Sequence, residues 1–186
     1  GKQNGNIHHY KVDFETLDDL IKYPDDNQYP AYFYKSILHG HSKEIISIKY
    51  SEYLNLWIST AKDGYVHLWN FSGDLILSVY LPNKNIKYAI LSSDPLPSFL
   101  IYFDNEIDCY LLNQIKPIRT LDLKTEVYNL DIIKSNGFED YLLCQDDEKM
   151  HVISIPYLEI VYEINEKLTS FDYLANERLI IGFLRH

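Results

Sequence analysis

The chain has 186 residues, of which 46% are hydrophobic and 15% aromatic, and its formal net charge is −10. This apolar content excludes a disordered chain and is enough to bury a core. The negative charge argues against a nucleic-acid partner, because phosphates would be repelled, and any association with an anionic membrane is expected to be indirect. The 17 Tyr residues and the many branched residues favour strands.

The cysteine content and the apolar runs indicate a cytoplasmic protein, expected to lie at most at the periphery of endomembranes. Cys109 and Cys144 form neither a disulfide framework nor a paired metal motif. We expect both to be buried as small apolar groups. The apolar runs are shorter than the roughly 20 residues that span a bilayer. Since the chain starts without Met and ends in an apolar run, we expect it to be a piece of a longer protein.

Residues 1–30 differ in pattern from the rest of the chain, and we predict an N-terminal insertion or linker there. Thr16 followed by Asp19 is an approximate helix-start signal, and Pro24 would end the helix, so a short helix is expected between them. The stretch YPAYFYKSIL, residues 29–38, is typical of the outermost strand of a preceding unit.

From residue 31 to 186 the chain repeats itself. Similar segments begin at Glu44, Asn85, Glu126 and Lys167, about 41 residues apart, which is the length of a four-stranded propeller blade. Each segment is followed by further strand-like runs separated by polar or Pro-containing turns. The sequence therefore predicts an all-β fold of about three and a half four-stranded units. Their approximate bounds are 38–81, 82–122, 123–164 and a truncated 165–186.

The first full repeat carries a motif. Residues 38–70 contain Gly40-His41, then a strand pair, then Asp63-Gly64, and finally Trp69-Asn70. This pattern resembles a WD repeat, with Asn70 in place of the usual Asp. The resemblance implies a WD-repeat β-propeller, in which His41, Ser59, Asp63 and Trp69 hydrogen-bond in series. In that series Asp63 accepts from His41 and from backbone amides, and Ser59 lies between His41 and the indole.

Two other interpretations of the same residues are weaker. Ser59, His41 and Asp63 would form a hydrolytic triad, but no nucleophile elbow surrounds the serine, so we predict no catalytic residue. His39, His41 and His67 would form a metal site, but they lack a further ligand at a defined spacing, so we predict neither metal nor cofactor. We interpret the four residues as a structural hydrogen-bond network.

The later repeats lack this motif. Tyr110 and Ile153 stand where Trp69 stands in the first repeat, and no Gly-His pair precedes the second or third unit. We therefore expect apolar stacking between neighbouring units to supply most of their stability. Asp146, Asp147 and Glu148 are predicted to form a solvated hairpin tip rather than a calcium site.

Three stretches carry a narrower resemblance. LSSDPLPSFLIY (91–102), DIIKSNGFEDYLL (131–143) and SIPYLEIVYEI (154–164) are similar to the C-terminal propeller of BEACH-domain, neurobeachin-like proteins. The resemblance implies a non-catalytic protein-interaction scaffold in vesicle or membrane trafficking or autophagy. Its expected partners are other proteins or preceding domains of the same chain. The alternatives are a WD-repeat subunit of a coat or ciliary assembly and, least favoured, a propeller-fold enzyme.

The predicted units also leave sheet edges open. Three and a half blades do not close a ring, and an unpaired strand edge favours association. We therefore expect these three and a half blades to be oligomeric or poorly soluble on their own.

Overall fold

The structure, a computed structural model, describes residues 5–12, 32–93, 95–134, 140–155, 157–166, 168–174 and 179–184. Within these ranges all regular secondary structure is β-strand, which confirms the all-β prediction. The helix expected between Thr16 and Pro24 lies outside the described residues. The described part of the chain contains no helix with the length and apolar content that crossing a bilayer requires.

Sixteen strands occur in the described ranges. The first sheet contains β3 (Ile45–Ser51), β4 (Leu56–Ala61), β5 (Tyr65–Asn70) and β6 (Leu75–Tyr80). The second contains β7 (Tyr88–Ser92), β8 (Ser98–Tyr102), β9 (Glu106–Leu111) and β10 (Arg119–Asp122). The third contains β11 (Tyr128–Lys134), β12 (Asp140–Gln145), β13 (Met150–Ser154) and β14 (Glu159–Ile164). An N-terminal pair contains β1 (Ile7–Val12) and β2 (Tyr32–Leu38), and a C-terminal pair contains β15 (Leu168–Leu174) and β16 (Leu179–Leu184).

Each four-stranded sheet is a simple antiparallel meander whose strands lie in chain order. The hairpin between β4 and β5 contains Gly64 at φ +82°, a conformation that favours glycine. Sheets meet most closely at their first strands, because β3 lies against β7 and β11 lies against β15. The first strand of each sheet is therefore the inner one and the fourth is the outer one.

Burial explains why the strands do not alternate cleanly between apolar and polar residues. All five residues of β8 are buried, because sheets cover both of its faces. In the outer strand β14, by contrast, five of six residues are exposed. The apolar runs of the sequence thus mark the second and third strands of each unit.

Side chains of neighbouring sheets interlock to form the core. From β8, Phe99 and Ile101 pack against the first sheet, whereas Leu100 packs against the third, because successive residues of a strand point to opposite faces. The third sheet packs in turn on Leu168 of the C-terminal pair, and the first sheet packs on Ile7 of the N-terminal pair. The five sheets are therefore stacked in chain order.

The N-terminal pair was only half predicted. Tyr32–Leu38 lies within the stretch expected to be an outer strand, but Ile7–Val12 falls in the region interpreted as an insertion or linker. These two strands pair antiparallel, with Ile7 opposite Leu38. The sequence signal for the first strand is weak because it contains two consecutive histidines, His8 and His9, which are not typical of a strand.

The two cysteines are free and fully buried in the core between the second and third sheets. Burial raises the pKa of Cys109 to about 11 and that of Cys144 to about 12. Both thiols are therefore protonated at neutral pH and pack as small apolar groups, as the sequence predicted.

Candidate functional site

The four residues of the WD-like motif come from four different segments of the first sheet. His41 lies in the loop between β2 and β3, and Ser59 lies on β4. Asp63 lies in the hairpin between β4 and β5, and Trp69 lies on β5. The structure brings all four into one chain of contacts, called here the Trp69 network.

The hydrogen bonds of this network have defined directions. The indole Nε1–H of Trp69 donates to Ser59 Oγ at 2.9 Å. Ser59 Oγ lies 2.8 Å from His41 Nε2, and His41 Nδ1 lies 3.2 Å from Asp63 Oδ1. Because a carboxylate only accepts, His41 carries its proton on Nδ1, and the Ser59 hydroxyl donates to the bare Nε2. Every polar group in the series therefore has a partner.

Asp63 fixes the loop before β3 to the hairpin of its own sheet. Its carboxylate accepts from the backbone N–H of Ser42 at 2.7 Å and from that of Tyr65 at 3.0 Å. Burial raises the pKa of Asp63, but these amides and His41 outweigh burial, so the pKa lies below its ordinary value. Asp63 is therefore ionised at neutral pH.

A second histidine stacks on this network. The rings of His41 and His67 lie 4.2 Å apart, and His67 Nε2–H donates to the carbonyl of Gly40 at 3.0 Å. Its Nδ1 is buried and accepts no hydrogen bond. Burial lowers the pKa of both histidines, and for His41 the neighbouring His67 lowers it further. Both rings are therefore neutral at pH 7.

Gly40 is required by the indole of Trp69. A Cβ atom at position 40 would lie 2.3 Å from Cη2 of Trp69 and 3.2 Å from Cδ2 of His67. The distance to Cη2 is far shorter than van der Waals contact, so the Gly-His pair is a packing requirement as well as a source of hydrogen bonds.

The order Asp63, His41, Ser59 is also that of a hydrolytic triad, so its accessibility matters. Ser59 is fully buried, and its hydroxyl already bonds both His41 and Trp69. A substrate carbonyl has no route to this oxygen without opening the sheet. In the ranges that the structure describes, no three His, Cys, Asp or Glu residues are arranged to hold a metal ion.

The second sheet has a polar network of its own, which was not predicted. Asp108 on β9 is buried, and Lys84 from the loop before β7 binds its Oδ2 at 2.8 Å. Tyr110 donates to the same oxygen at 3.3 Å, and Thr120 on β10 donates to the other. Lys84 also forms an ion pair with Glu106. We call Lys84, Asp108, Tyr110 and Thr120 the Asp108 network.

The third sheet has another network, centred on Asp146 in the hairpin between β12 and β13. Its Oδ2 lies 2.9 Å from His151 Nε2 and accepts from Thr125, in the loop before β11, at 3.2 Å. Its Oδ1 accepts from the amides of Glu148 and Lys149. The other ring nitrogen of His151 lies 3.1 Å from Glu163 on β14. We call Thr125, Asp146, His151 and Glu163 the Asp146 network.

The later sheets lack the motif of the first repeat, as the sequence indicates, but each has a polar network built from different residues. The prediction of a solvated hairpin tip is wrong for Asp146, which is 4% exposed, although Asp147 and Glu148 are exposed. A signal was present in the sequence, because Asp108 interrupts an apolar third strand and a buried carboxylate needs a partner. Nothing in the local pattern named Lys84 as that partner.

Polar contacts also join neighbouring sheets. Ser92 at the end of β7 donates to Asp140 at the start of β12 at 2.8 Å, and both residues are buried. The Tyr102 hydroxyl accepts from the backbone N–H of Val127 at 2.8 Å. Burial, above all, raises the pKa of Tyr102 to about 12, so the phenol stays protonated. These bonds set how the second and third sheets stack.

Comparison with known proteins identifies the fold. No protein-family model and no curated protein sequence matches the chain. A solved structure described as "Crystal structure of WD40 beta propeller domain of Doa1" matches it with a TM-score of 0.59 and 17% sequence identity. The match covers 78% of this chain and 49% of that chain, so the present chain spans about half the length of that structure.

The sheets can now be called blades. They are four-stranded meanders stacked in chain order, and the first carries a hydrogen-bonded series of His, Ser, Asp and Trp. The chain has the fold of a WD40 β-propeller, of which its described residues form three complete blades and two strand pairs.

Proposed function

We propose that the chain is part of a non-catalytic scaffold that binds other proteins or further domains of its own parent chain. A propeller offers rigid blades whose loops are free to vary, and such surfaces suit docking of peptides and domains. The scaffold needs no reaction centre, cofactor or metal.

The observation that carries this proposal is the burial and hydrogen bonding of the Ser59 hydroxyl. Its hydroxyl belongs to the most enzyme-like group of residues in the described chain, yet it is fully buried and bonded on both sides. Asp63, the acid of that group, bonds backbone amides that hold the loop in place. These residues thus serve the rigidity of the blade rather than a reaction.

Substitution of Ser59 by alanine separates a scaffold from a hydrolase. We expect the wild-type protein to resist labelling by a fluorophosphonate probe, which reacts with activated serines. We also expect tagged wild-type protein and the Ser59→Ala variant to capture the same proteins from cells. Labelling of Ser59, or the absence of any specifically captured protein, would contradict the proposal.

The narrower proposal concerns the cellular role. The similarity of residues 91–102, 131–143 and 154–164 to the propeller of BEACH-domain proteins supports a role in vesicle or membrane trafficking or autophagy. We propose a cytoplasmic location at the periphery of endomembranes, with attachment through partner proteins because the chain carries a net charge of −10.

Membrane fractionation tests the cellular role. The protein should sediment with endomembranes and be released by high salt or mild detergent, as a peripherally attached protein is. It should not bind protein-free vesicles of phosphatidylcholine and phosphatidylserine. A wholly soluble distribution, or recovery with coat or ciliary components alone, would favour the alternative assemblies.

A further inference from the structure

A cleft lies between the first and second blades, next to the loop that the Trp69 network holds. The loop before β3 and the hairpin between β4 and β5 form one wall, and the loop between β6 and β7 forms the other. Its volume is about 510 Å³, which lies in the range of about 300–1,000 Å³ at which proteins bind ligands. The cleft is therefore large enough to receive side chains of a partner.

Lysines are concentrated around this cleft. The chain contains 17 Lys and Arg against 27 Asp and Glu, yet the lysines that line the cleft outnumber its one acidic residue, Asp63. Two of these lysines belong to the first blade and two to the loop that enters the second: Lys43, Lys62, Lys84 and Lys87. The Asp63 carboxylate is already bound by His41 and by two backbone amides. Ammonium groups are therefore present on both walls.

The two walls differ in how their lysines are paired. On the second blade, Lys84 and Lys87 each pair with two carboxylates that do not line the cleft. On the first blade, Lys62 pairs with Glu44, but their side chains are 60% and 46% exposed, so water weakens this ion pair. Among the residues that the structure describes, none forms an ion pair with the exposed ammonium of Lys43. The first-blade wall therefore has unused N–H donors, since each ammonium carries three.

Apolar side chains lie beside these ammonium groups. Ile46 of β3 is 39% exposed and Tyr80 of β6 is 54% exposed, and both line the cleft. Covering them would remove apolar surface from water, which favours binding. Exposed apolar groups next to cations with unused donors suit a ligand that carries a carboxylate and an apolar side chain together.

We propose that this cleft binds an acidic peptide segment of a partner protein. A carboxylate of the segment meets Lys43 and Lys62, and a neighbouring apolar side chain packs on Ile46 and Tyr80. The proposal rests on the scaffold function proposed above and names the chemistry of one partner. Since carboxylates outside the cleft neutralise the lysines of the second blade, the cleft lacks the excess positive charge that a polyphosphate requires. A carboxylate needs only charge-assisted hydrogen bonds from the first-blade wall.

Fluorescence anisotropy with two labelled probe peptides tests this proposal on the 186-residue chain. One probe is a capped hexapeptide of alternating leucine and glutamate, and the other has glutamine in place of glutamate. We expect the glutamate peptide to bind, with an affinity that falls as salt is added, and the glutamine peptide to bind about fivefold more weakly, as loss of one exposed ion pair predicts. Equal binding of the two peptides, or no binding of the glutamate peptide, would overturn the proposal.

Two lysine variants locate the binding site. Lys43 and Lys116 are both exposed and lie in loops, but Lys116 does not line the cleft. We expect Lys43→Glu to weaken binding of the glutamate peptide about fivefold and Lys43→Arg to preserve it. Lys116→Glu changes the net charge by the same amount and should leave binding unchanged. Equal weakening by Lys43→Glu and Lys116→Glu would show an effect of overall charge and would overturn the assignment to the cleft.

Two isoleucine variants test the apolar contact. Ile46 and Ile160 both lie on strands and are 39% and 41% exposed, but Ile160 is on β14, away from the cleft. We expect Ile46→Ala to weaken binding of the glutamate peptide and Ile160→Ala to leave it unchanged, with thermal unfolding showing that both variants are folded. Unchanged binding by a folded Ile46→Ala variant would contradict the proposed contact.

Capture of cellular proteins separates this proposal from the scaffold proposal. A captured protein that is lost with Lys43→Glu and retained with Lys116→Glu would support the cleft as its docking site. If Lys43→Glu and the wild-type protein capture the same proteins equally well, the scaffold function stands and the cleft is not the docking site. If the wild-type protein captures none, both proposals fail.

Discussion

The indole of Trp69 donates to the hydroxyl of Ser59 at 2.9 Å, so side chains as well as the strand ladder join β4 to β5. The Ser59 hydroxyl in turn donates to Nε2 of His41, which lies in the loop before the blade. The contact thus connects the middle of the sheet to the loop at its end.

Removing the Ser59 hydroxyl should destabilise the protein without unfolding it. The Ser59→Ala variant leaves the buried indole N–H and the bare nitrogen of His41 without a partner, which costs about 1–3 kcal/mol for each such group. Trp69→Ala should also destabilise the protein, by about 3–5 kcal/mol, because it leaves a cavity in the core. Urea denaturation measures both, and equal stability of Trp69→Ala and the wild-type protein would contradict the role of the network.

Gly40→Ala should destabilise the first blade because its Cβ overlaps the indole of Trp69, with an expected cost of about 1–3 kcal/mol. The Trp69→Phe variant provides the control, since a phenyl ring lacks the Cη2 atom that lies 2.3 Å from that position. The cost of Gly40→Ala should be smaller in the Trp69→Phe background. Additive costs in a double-mutant cycle would show that the overlap is not the cause.

Lys84→Met should destabilise the second blade by about 1–3 kcal/mol, because the buried Asp108 carboxylate would lose its cation. Lys87→Met is the matched control. Lys87 pairs with Asp104 and Glu126, which are exposed, so its loss should change stability little. Thermal unfolding of the two variants checks this, and equal losses would contradict the importance of the Asp108 network.

Stability should fall with acidification just below pH 6.5. His41 and His67 have folded-state pKa values below 6.5, so the unfolded chain binds more protons in this range. The stability that these two neutral histidines contribute is complete above pH 6.5 and is lost as pH falls toward their folded-state pKa values. His67→Phe should reduce this slope, whereas substitution of the exposed His39 by alanine should not. A flat profile of unfolding free energy between pH 5 and 7 would contradict the prediction.

A second loss of stability should occur at lower pH. Burial raises the pKa of Asp146, but His151 and two backbone amides outweigh it and hold the pKa at about 2. Because the unfolded value is 3.8, stability is present above that pH and is lost as pH falls from 3.8 toward about 2. The Asp146→Asn variant should be less stable at pH 6 and should lose less stability on acidification. If the Asp146→Asn variant lost as much stability as the wild-type protein between pH 3.8 and about 2, this loss would not be due to Asp146.

Much of the fold follows from the sequence alone. The interval of about 41 residues, the apolar second and third strands and the turn at Asp63-Gly64 are local or periodic features. They place nearly every strand of the three complete blades. The Trp69 network could also be predicted, because its residue types and spacing recur together in a recognisable motif.

The remaining contacts depend on how sheets stack. Asp108 meets Lys84 from 24 residues earlier, and Ser92 meets Asp140 from 48 residues later. No short-range pattern connects such pairs, because each side chain follows its own strand and meets its partner only when the strands or blades align. The sequence by itself determined the repeating unit and one of its polar networks. Only the tertiary structure decided the other two networks and the contacts between blades, because these arise from the relative placement of strands distant in the chain.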